Sequence, residues 1–198
     1  DLNKSGFIAT ALHNLSCVEP GRRMMQNVGE GILHSVAWIA RQQEDQPHYV
    51  ADPIVVLCAG TFFNLSCVKV SARLLMHRRW IRSVIDIMKQ SRMSRVDELC
   101  IATLHNLSKG YEHAGRAYAG EGALEELIEL TNNDEEPNAQ ALALTTLCIL
   151  TTEADNVNAM VRRGLVKALV TASYSHRLAE TATIGLNNLS AYEHGKLI

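Results

Sequence analysis

A short motif recurs along this chain at nearly constant intervals. Four copies have the form apolar–x–Asn–Leu–Ser, and they span residues 12–16, 62–66, 104–108 and 186–190. A fifth, degenerate copy covers residues 147–151 and has Ile149 in place of the asparagine. The leucine after the asparagine position falls at residues 15, 65, 107, 150 and 189, so the spacings are 50, 42, 43 and 39 residues. With helical sequence between the copies, this period predicts an α-solenoid of short repeats.

The segments between the copies also share a pattern. Each contains a stretch with apolar residues at i, i+3 and i+4, which indicates an amphipathic helix. These stretches begin at Gly31, Arg79, Gly122 and Gly164, and a shorter helical piece precedes each one. Each unit is therefore predicted to have three helices. The glycine permits the sharp turn between the first two helices, and the second repeat must make this turn without one.

The three-helix unit resembles the armadillo repeat. The matching features are the glycine that opens the second helix, the Leu and Val pairs within it, and the small–Leu–x–Asn–Leu end of the third helix. The resemblance covers essentially the whole chain and implies an all-α fold, a right-handed α-solenoid of armadillo-like three-helix repeats. HEAT repeats are the alternative. They usually have two helices and a proline kink in the first, and no such proline recurs here.

The repeat pattern predicts the organisation of the array. Complete repeats are expected at 17–66, 67–108, 109–151 and 152–190, with partial repeats at 1–16 and 191–198. The polar segment Arg41–Asp52 is predicted to be an exposed loop, and Asn132–Pro137 a shorter one. Neither end carries a polar cap. We therefore expect that the native protein extends further or that another element covers each end.

The resemblance also implies a binding surface. In armadillo proteins the third helices line a concave groove in which asparagine side chains form a ladder, and an amide can both donate to and accept from the backbone of an extended peptide. The candidate partner-binding residues are Asn14, Asn64, Asn106 and Asn188, with His13 and His105 in the adjoining slot. The alternative is that these asparagines bond the neighbouring repeat and only stabilise the stack.

One departure from the family pattern argues against one of the functions that armadillo proteins have. Importin-α-like armadillo proteins place tryptophan four residues before the asparagine, where it flanks lysine side chains. Those slots here hold residues other than tryptophan: Thr10, Gly60, Ala102, Thr145 and Ile184. The sequence therefore disfavours a nuclear-import receptor. Trp38 and Trp80 lie in or beside second helices and are predicted to pack in the core.

The charges are divided unevenly although the net charge is only −2. Residues 1–109 carry 13 basic and 9 acidic side chains, whereas residues 110–198 carry 6 and 12. The candidate charged contacts are Lys69, Arg73, Arg78, Arg79, Arg82, Glu125, Glu126 and Glu129. Such a distribution could orient a partner of opposite polarity. The alternative is an ordinary solvated face.

Several function classes find no support in the sequence. It has no GxSxG, P-loop or HExxH motif, and no GxGxxG after a strand, so we expect a non-enzyme with no metal, cofactor or small-molecule substrate. His13 and His105 are two repeats apart and cannot share a metal. The basic cluster lacks interleaved aromatics, which disfavours nucleic-acid binding. No apolar run reaches about 18 residues, so no membrane span is expected, while a lipid anchor outside this segment stays open.

The number and spacing of the cysteines indicate the cellular compartment. The chain has five, with no CxxC pair. We interpret them as small core residues of an intracellular, cytoplasmic protein. The Asn–Leu–Ser copies also satisfy the N-glycosylation rule, but their recurrence with the repeat period points to packing.

Two functions follow as hypotheses. The first is a non-enzymatic scaffold or adaptor that binds an extended peptide or a partner helix along the concave groove. The second is a structural component docked in a cytoskeletal or axonemal (ciliary or flagellar) assembly through its convex face, the Arg41–Asp52 loop or its ends. Armadillo folds serve many functions, so the resemblance does not choose between them.

Overall fold

A computed structural model describes residues 2–91, 93–111 and 113–192, and the side chains of residues 2, 3 and 78 are not described. Within these ranges the chain forms thirteen α-helices and no strand. It divides into two compact units, residues 1–107 and 108–198. The expected partial repeat at 191–198 lies almost wholly outside the described residues.

The first unit begins with one third helix and continues with two repeats. Its helices are α1 (Leu2–Cys17), α2 (Glu19–Val28), α3 (Glu30–Arg41), α4 (His48–Ser66), α5 (Lys69–Leu75), α6 (Arg78–Gln90) and α7 (Ser94–Gly110), and the unit boundary falls within α7. Helices α2–α4 and α5–α7 each follow the short, medium and long order that the sequence predicts. The third helices α1 and α4 pack on each other, and so do the second helices α3 and α6.

The second unit contains two further repeats of the same kind. Its helices are α8 (Ala114–Glu121), α9 (Ala123–Leu130), α10 (Pro137–Leu150), α11 (Ala154–Arg162), α12 (Leu165–Ser173) and α13 (Ala179–Ala191). The third helices α10 and α13 pack on each other, and α12 packs on α13. The acidic segment after α9 is irregular up to Pro137, which occupies the first position of α10. Proline is tolerated at that position because its missing N–H has no partner within the helix.

The turn between first and second helices uses glycine in three of the four repeats. Gly29, Gly122 and Gly164 have φ angles of +67°, +82° and +95°, a region that residues with a Cβ avoid. The prediction that Gly31 makes the first of these turns is wrong, because Gly31 lies inside α3 and Gly29 makes the turn instead. In the second repeat His77 joins α5 to α6 in an extended conformation, so this turn does form without glycine.

The repeated motif supplies the core, as predicted. The apolar residues two before and one after the asparagine position are at most 3% exposed in three motif copies: Phe62, Leu65, Leu104, Leu107, Leu147 and Leu150. At the first third helix, α1, the equivalent Leu15 is 39% exposed. Leu65 is buried because α4 packs against α1, α3, α5 and α6.

Two expectations need correction. The exposed loop is shorter than predicted, because α4 already begins at His48 and Gln43 is buried, donating from Nε2 to the Ile39 carbonyl at 3.0 Å. Trp80 is 2% exposed and packs in the core as predicted. The same prediction for Trp38 is wrong, since this side chain is 55% exposed.

Candidate protein-binding surface

The asparagines of the motif bond to the preceding repeat. Asn64 donates from Nδ2 to Ser16 Oγ at 2.9 Å, and Asn106 donates in the same way to Ser66 Oγ at 2.9 Å. In the second unit, Asn188 donates to Thr151 Oγ1 at 3.1 Å. The hydroxyl that accepts the bond is always the last residue of the previous motif copy, so the asparagine and the serine are partners across successive repeats.

The accepting hydroxyl is itself fixed by the backbone. Ser16 donates to the His13 carbonyl at 2.6 Å, Ser66 to the Phe63 carbonyl at 2.7 Å, and Thr151 to the Cys148 carbonyl at 2.6 Å. A hydroxyl has one proton, so it must accept from the asparagine, and the amide nitrogen must face it. This relay explains why the hydroxyl recurs with the asparagine, and why Thr151 is retained in the repeat that lacks one.

Where the motif lacks its asparagine, the serine hydroxyl of the preceding copy bonds to a different residue. Ile149 occupies the asparagine slot after Ser108, and the Ser108 hydroxyl donates to the phenol oxygen of Tyr118 at 3.3 Å. Tyr118 is fully buried in α8, and burial raises the pKa of its phenol above the usual value, so the phenol stays neutral. In this repeat the polar partner of the hydroxyl is therefore a buried phenol that accepts from it, and not an amide that donates to it.

The bonds to the preceding repeat use the amide nitrogens of Asn64 and Asn106 and leave their oxygens able to accept a hydrogen bond. The second N–H of Asn64 and of Asn106 faces a cysteine sulfur, with Nδ2 to Sγ distances of 3.5 Å to Cys17 and 3.4 Å to Cys67. Among the described residues, nothing donates to the amide oxygen of either asparagine. Both side chains are half-buried, and Asn14 on α1 is exposed. We call Asn14, Asn64 and Asn106 the ladder surface of the first unit.

A double-mutant cycle measures the coupling energy between the asparagine and the serine that it bonds. Asn106→Ala and Ser66→Ala each remove one partner of the same bond, so each is expected to lower the free energy of unfolding by about 0.5–1.5 kcal/mol. The double variant should lose little more than either single variant, giving a coupling energy of about 1 kcal/mol in urea unfolding. Additive losses would show that the two side chains stabilise the array separately.

The two histidines of the predicted site are half-buried. The ring of His13 lies against the backbone of α4, where a Cβ on Gly60 would be 2.7 Å from its Cε1. Its Nδ1 is buried without a hydrogen-bond partner among the described residues. At Gly60, one of the slots that hold tryptophan in importin-α-like proteins, a larger side chain has no room because His13 fills the space. Sequence reasoning missed this pairing, although a lone glycine inside a long helix signals close approach.

The comparisons with known proteins concern the fold. No family model and no curated protein matches the chain. An engineered protein solved by the Northeast Structural Genomics Consortium matches with a TM-score of 0.74 at 18% identity, over 94% of this chain and 74% of that one. A designed armadillo repeat protein matches with a TM-score of 0.66 at 13% identity, over 96% of this chain and 92% of that one. The chain has an armadillo-like repeat fold.

A further engineered protein of the same consortium matches with a TM-score of 0.74 at 16% identity, over 96% of this chain and 76% of that one. These identities show the fold and nothing about ligands. The expected all-α solenoid of armadillo-like repeats is confirmed.

Several charged residues of the predicted surface are engaged within the armadillo-like array. Arg79 pairs with Glu30 of the preceding repeat, and its guanidinium carbon lies 4.3 Å from the centre of the Trp80 ring. Arg82 pairs with Asp86 at 3.1 Å, and Glu125 pairs with Arg163 at 2.5 Å. Exposed pairs of this kind contribute about 0–1 kcal/mol each. They join successive repeats or turns of one helix.

The remaining charged candidates are divided between the two units. Lys69, Arg73 and Glu129 are exposed, Glu126 is half-buried, and the side chain of Arg78 is outside the described part of the structure. The basic candidates belong to α5 and α6, and the acidic ones to α9.

The cysteines divide into two classes. Cys58, Cys100 and Cys148 are buried as predicted, but the prediction that all five are core residues is wrong, because Cys17 and Cys67 are exposed. Both follow the serine of a motif copy at the end of a third helix, which turns them away from the core. The Sγ of Cys17 lies 3.6 Å from Nε2 of His13.

Thiol labelling should separate the two classes. Burial raises the pKa of Cys58 to about 12. Burial also raises the pKa of Cys148, to about 11, although a backbone hydrogen bond from Gly185 lowers it by a smaller amount. Burial also raises the pKa of Cys100, with a further rise from Asp97. At pH 8 we expect iodoacetamide to modify Cys17 and Cys67 at least about tenfold faster than these three, as followed by mass spectrometry. Equal rates at all five would contradict the packing described.

Two further properties concern metals and membranes. Among the described residues no group of three His, Cys, Asp or Glu side chains lies close enough to hold a metal ion. The helix α4 is long and apolar enough to cross a membrane by length and composition alone, and 56% of its most apolar window is buried inside the protein. A core helix that is mostly buried passes the same test of length and composition.

Proposed function

We propose that this protein is a non-enzymatic scaffold that binds an extended peptide segment of a partner protein along its third helices. The observation that carries the proposal is the arrangement of the amides on the ladder surface. The nitrogen atoms of Asn64 and Asn106 are held by the preceding repeat, and their oxygen atoms have no donor within the described residues. The oxygens are therefore acceptors in fixed orientations, without the entropic cost of ordering them on binding.

The partner must supply donors. An extended peptide presents backbone N–H groups at regular intervals on one edge, and each could donate to one amide oxygen. Because both N–H groups of Asn64 and of Asn106 already face acceptors of the preceding repeat, these two amides accept hydrogen bonds from the peptide and do not donate to it. Stabilisation of the stack and binding of a peptide are thus compatible uses of the same side chain.

Selection of peptides from a random display library tests the proposal. Bound peptides should lose affinity when backbone N-methyl groups replace the donating N–H groups at alternate positions, and when Asn64→Ala is introduced in the protein. A Tyr49→Ala variant, which alters a side chain that is 83% exposed at the start of α4, should bind normally. Selected peptides that tolerate N-methylation throughout and bind the Asn64→Ala variant equally well would refute the proposal.

The cellular location belongs to the same proposal. All five cysteines lie in the described part of the chain and none forms a disulfide, which fits a reducing compartment. We place the scaffold inside the cell, in the cytoplasm. The alternative is docking in a cytoskeletal or axonemal assembly through the convex face, the Arg41–Asp52 loop or the ends. It has less support, because Arg79, a candidate charged contact, is already paired with Glu30.

A further inference from the structure

The exposed thiol of Cys17 lies in a cluster of polar side chains from two successive repeats. His13 precedes it by one helical turn on α1, and the ring nitrogen Nε2 lies 3.6 Å from the Cys17 sulfur. From α4, Asn64 brings its Nδ2 to 3.5 Å from the same sulfur. An imidazole and an amide thus converge on one solvent-exposed thiol. A histidine beside a partly exposed thiol is typical of reactive cysteines, whereas structural cysteines are buried among apolar groups.

The packing of His13 against α4 determines which ring nitrogen faces the thiol. A Cβ on Gly60 would lie 2.7 Å from Cε1 and 2.9 Å from Nδ1 of the ring, but 3.9 Å from Nε2. Nδ1 is therefore turned towards the backbone of α4, where it is buried without a hydrogen-bond partner among the described residues. Nε2 is the nitrogen available to Cys17. It can take the thiol proton and then, as an N–H group, donate to the sulfur.

Solvent reaches the position of Cys17 in every copy of the motif. The residue that follows the motif serine or threonine is exposed in all five copies: Cys17, Cys67, Lys109, Thr152 and Ala191. Cys67 is exposed although its helix α4 packs against α1, α3, α5 and α6. The exposure of Cys17 therefore follows from its slot in the repeat and not from its place in the array.

The next repeat holds the same thiol without the histidine. Cys67 follows α4 as Cys17 ends α1, and Asn106 places Nδ2 3.4 Å from the Cys67 sulfur. The residue one turn before Cys67 is Phe63, whose carbonyl accepts from Cys67 Sγ at 3.4 Å. Exposure, helix end and amide donor are common to the two thiols. The imidazole distinguishes Cys17 from Cys67.

We propose that Cys17 is a site of reversible thiol modification by low-molecular-weight disulfides of the glutathione class. The Cys17 thiol gives its proton to His13 Nε2, and its sulfur attacks one sulfur of the disulfide. A new S–S bond forms while the S–S bond of the reagent breaks, and the leaving thiolate takes the proton from His13. Cys17 is oxidised to a mixed disulfide, and the reagent is reduced to one free thiol. Attack by a second thiol reverses the exchange.

Glutathione disulfide, added to the full chain near neutral pH, is the probe. Site-resolved mass spectrometry follows the mixed disulfide at Cys17 and at Cys67 in the same sample, so that Cys67 is an internal reference for exposure and helix end. Cys17 is expected to react at least about tenfold faster than Cys67. Dithiothreitol should restore the free thiol.

Two variants exchange the neighbours of the two thiols. His13→Phe gives Cys17 the neighbour that Cys67 has, and should bring its rate to within about threefold of the Cys67 rate. Phe63→His combined with Ala102→Gly gives Cys67 an imidazole and recreates the space that Gly60 leaves for the ring. This double variant should raise the rate at Cys67 at least about fivefold. It leaves α1 unchanged, so it tests the imidazole even if His13→Phe does not fold, and circular dichroism checks the fold of both.

Two results would overturn the proposal. One is an equal rate of mixed-disulfide formation at Cys17 and Cys67 in the wild-type chain. The other is a rate advantage that does not follow the imidazole, so that folded variants keep the wild-type rates at both thiols. A faster Cys17 whose advantage is lost with His13 and gained at Cys67 with the double variant supports the proposal. The readout is a mass change at one thiol, so it is independent of peptide binding to the ladder surface.

Discussion

Truncating Leu65 to alanine is expected to lower the free energy of unfolding by about 2–5 kcal/mol. Leu65 is the leucine of the Asn–Leu–Ser motif in α4 and is 3% exposed. Its side chain packs inside the array, where the surrounding helices can collapse only partly around the lost methyl groups. The loss comprises the transfer free energy of the removed atoms and the cost of the cavity. Urea unfolding followed by circular dichroism measures it.

The chain contains its own control for this experiment. Leu15 occupies the same motif slot in α1 and is 39% exposed. Leu15→Ala should cost less than about half as much as Leu65→Ala, since little cavity forms and less apolar area is lost from the core. Equal losses for the two variants would contradict the assignment of the motif leucine to the core between packed third helices.

Adding a methyl group at Gly21 is expected to destabilise the first unit by about 1–3 kcal/mol or more. Gly21 lies in α2, and a Cβ there would overlap the backbone carbonyl of Leu15 at the end of α1. Backbone atoms cannot move aside as a flexible side chain can, so the junction of α1 and α2 must open. The higher helix propensity of alanine, worth about 1 kcal/mol, works against this loss and does not offset it.

A second helical glycine provides the matched comparison. At Gly6 in α1 the nearest atom to an added Cβ is Ile54 Cδ1 at 3.9 Å, an ordinary contact. Gly6→Ala should therefore raise the free energy of unfolding by up to about 1 kcal/mol. The two substitutions are chemically identical and have opposite expected signs. Stabilisation by both would show that α1 and α2 do not approach as closely as described.

The repeat made most of the fold predictable from the sequence. The motif leucines recur with the period of the array and fill its core, and the three-helix unit follows from the apolar patterns between them. The position of the first turn was less predictable, because Gly29 and Gly31 lie two residues apart and local pattern does not tell which one has a positive φ. The start of α4 at His48 was missed because a polar, proline-bearing segment favours a loop by composition.

Side-chain exposure was harder to predict than helix position. Trp38 and Cys67 lie in apolar sequence, yet each occupies a slot that the repeat turns away from the core. Comparison with the equivalent residues Asp86, Glu129 and Thr171 would have shown the exposure of Trp38 from sequence alone. The partner of the ladder asparagine was also present in the sequence, because a hydroxyl residue ends every copy of the motif, including the copy with Ile149.

The most direct measurement compares two variants that remove the same internal bond. Asn106→Ala deletes the bond to Ser66 together with the surface oxygen, whereas Ser66→Ala deletes the bond alone. For a peptide selected on the first unit, the account predicts that Asn106→Ala weakens binding at least about tenfold in calorimetric titration. Ser66→Ala should weaken binding less, by about threefold, because it frees the orientation of the amide but keeps its oxygen. Equal losses for the two variants would contradict the account, because the asparagine would then act only through the stability of the stack.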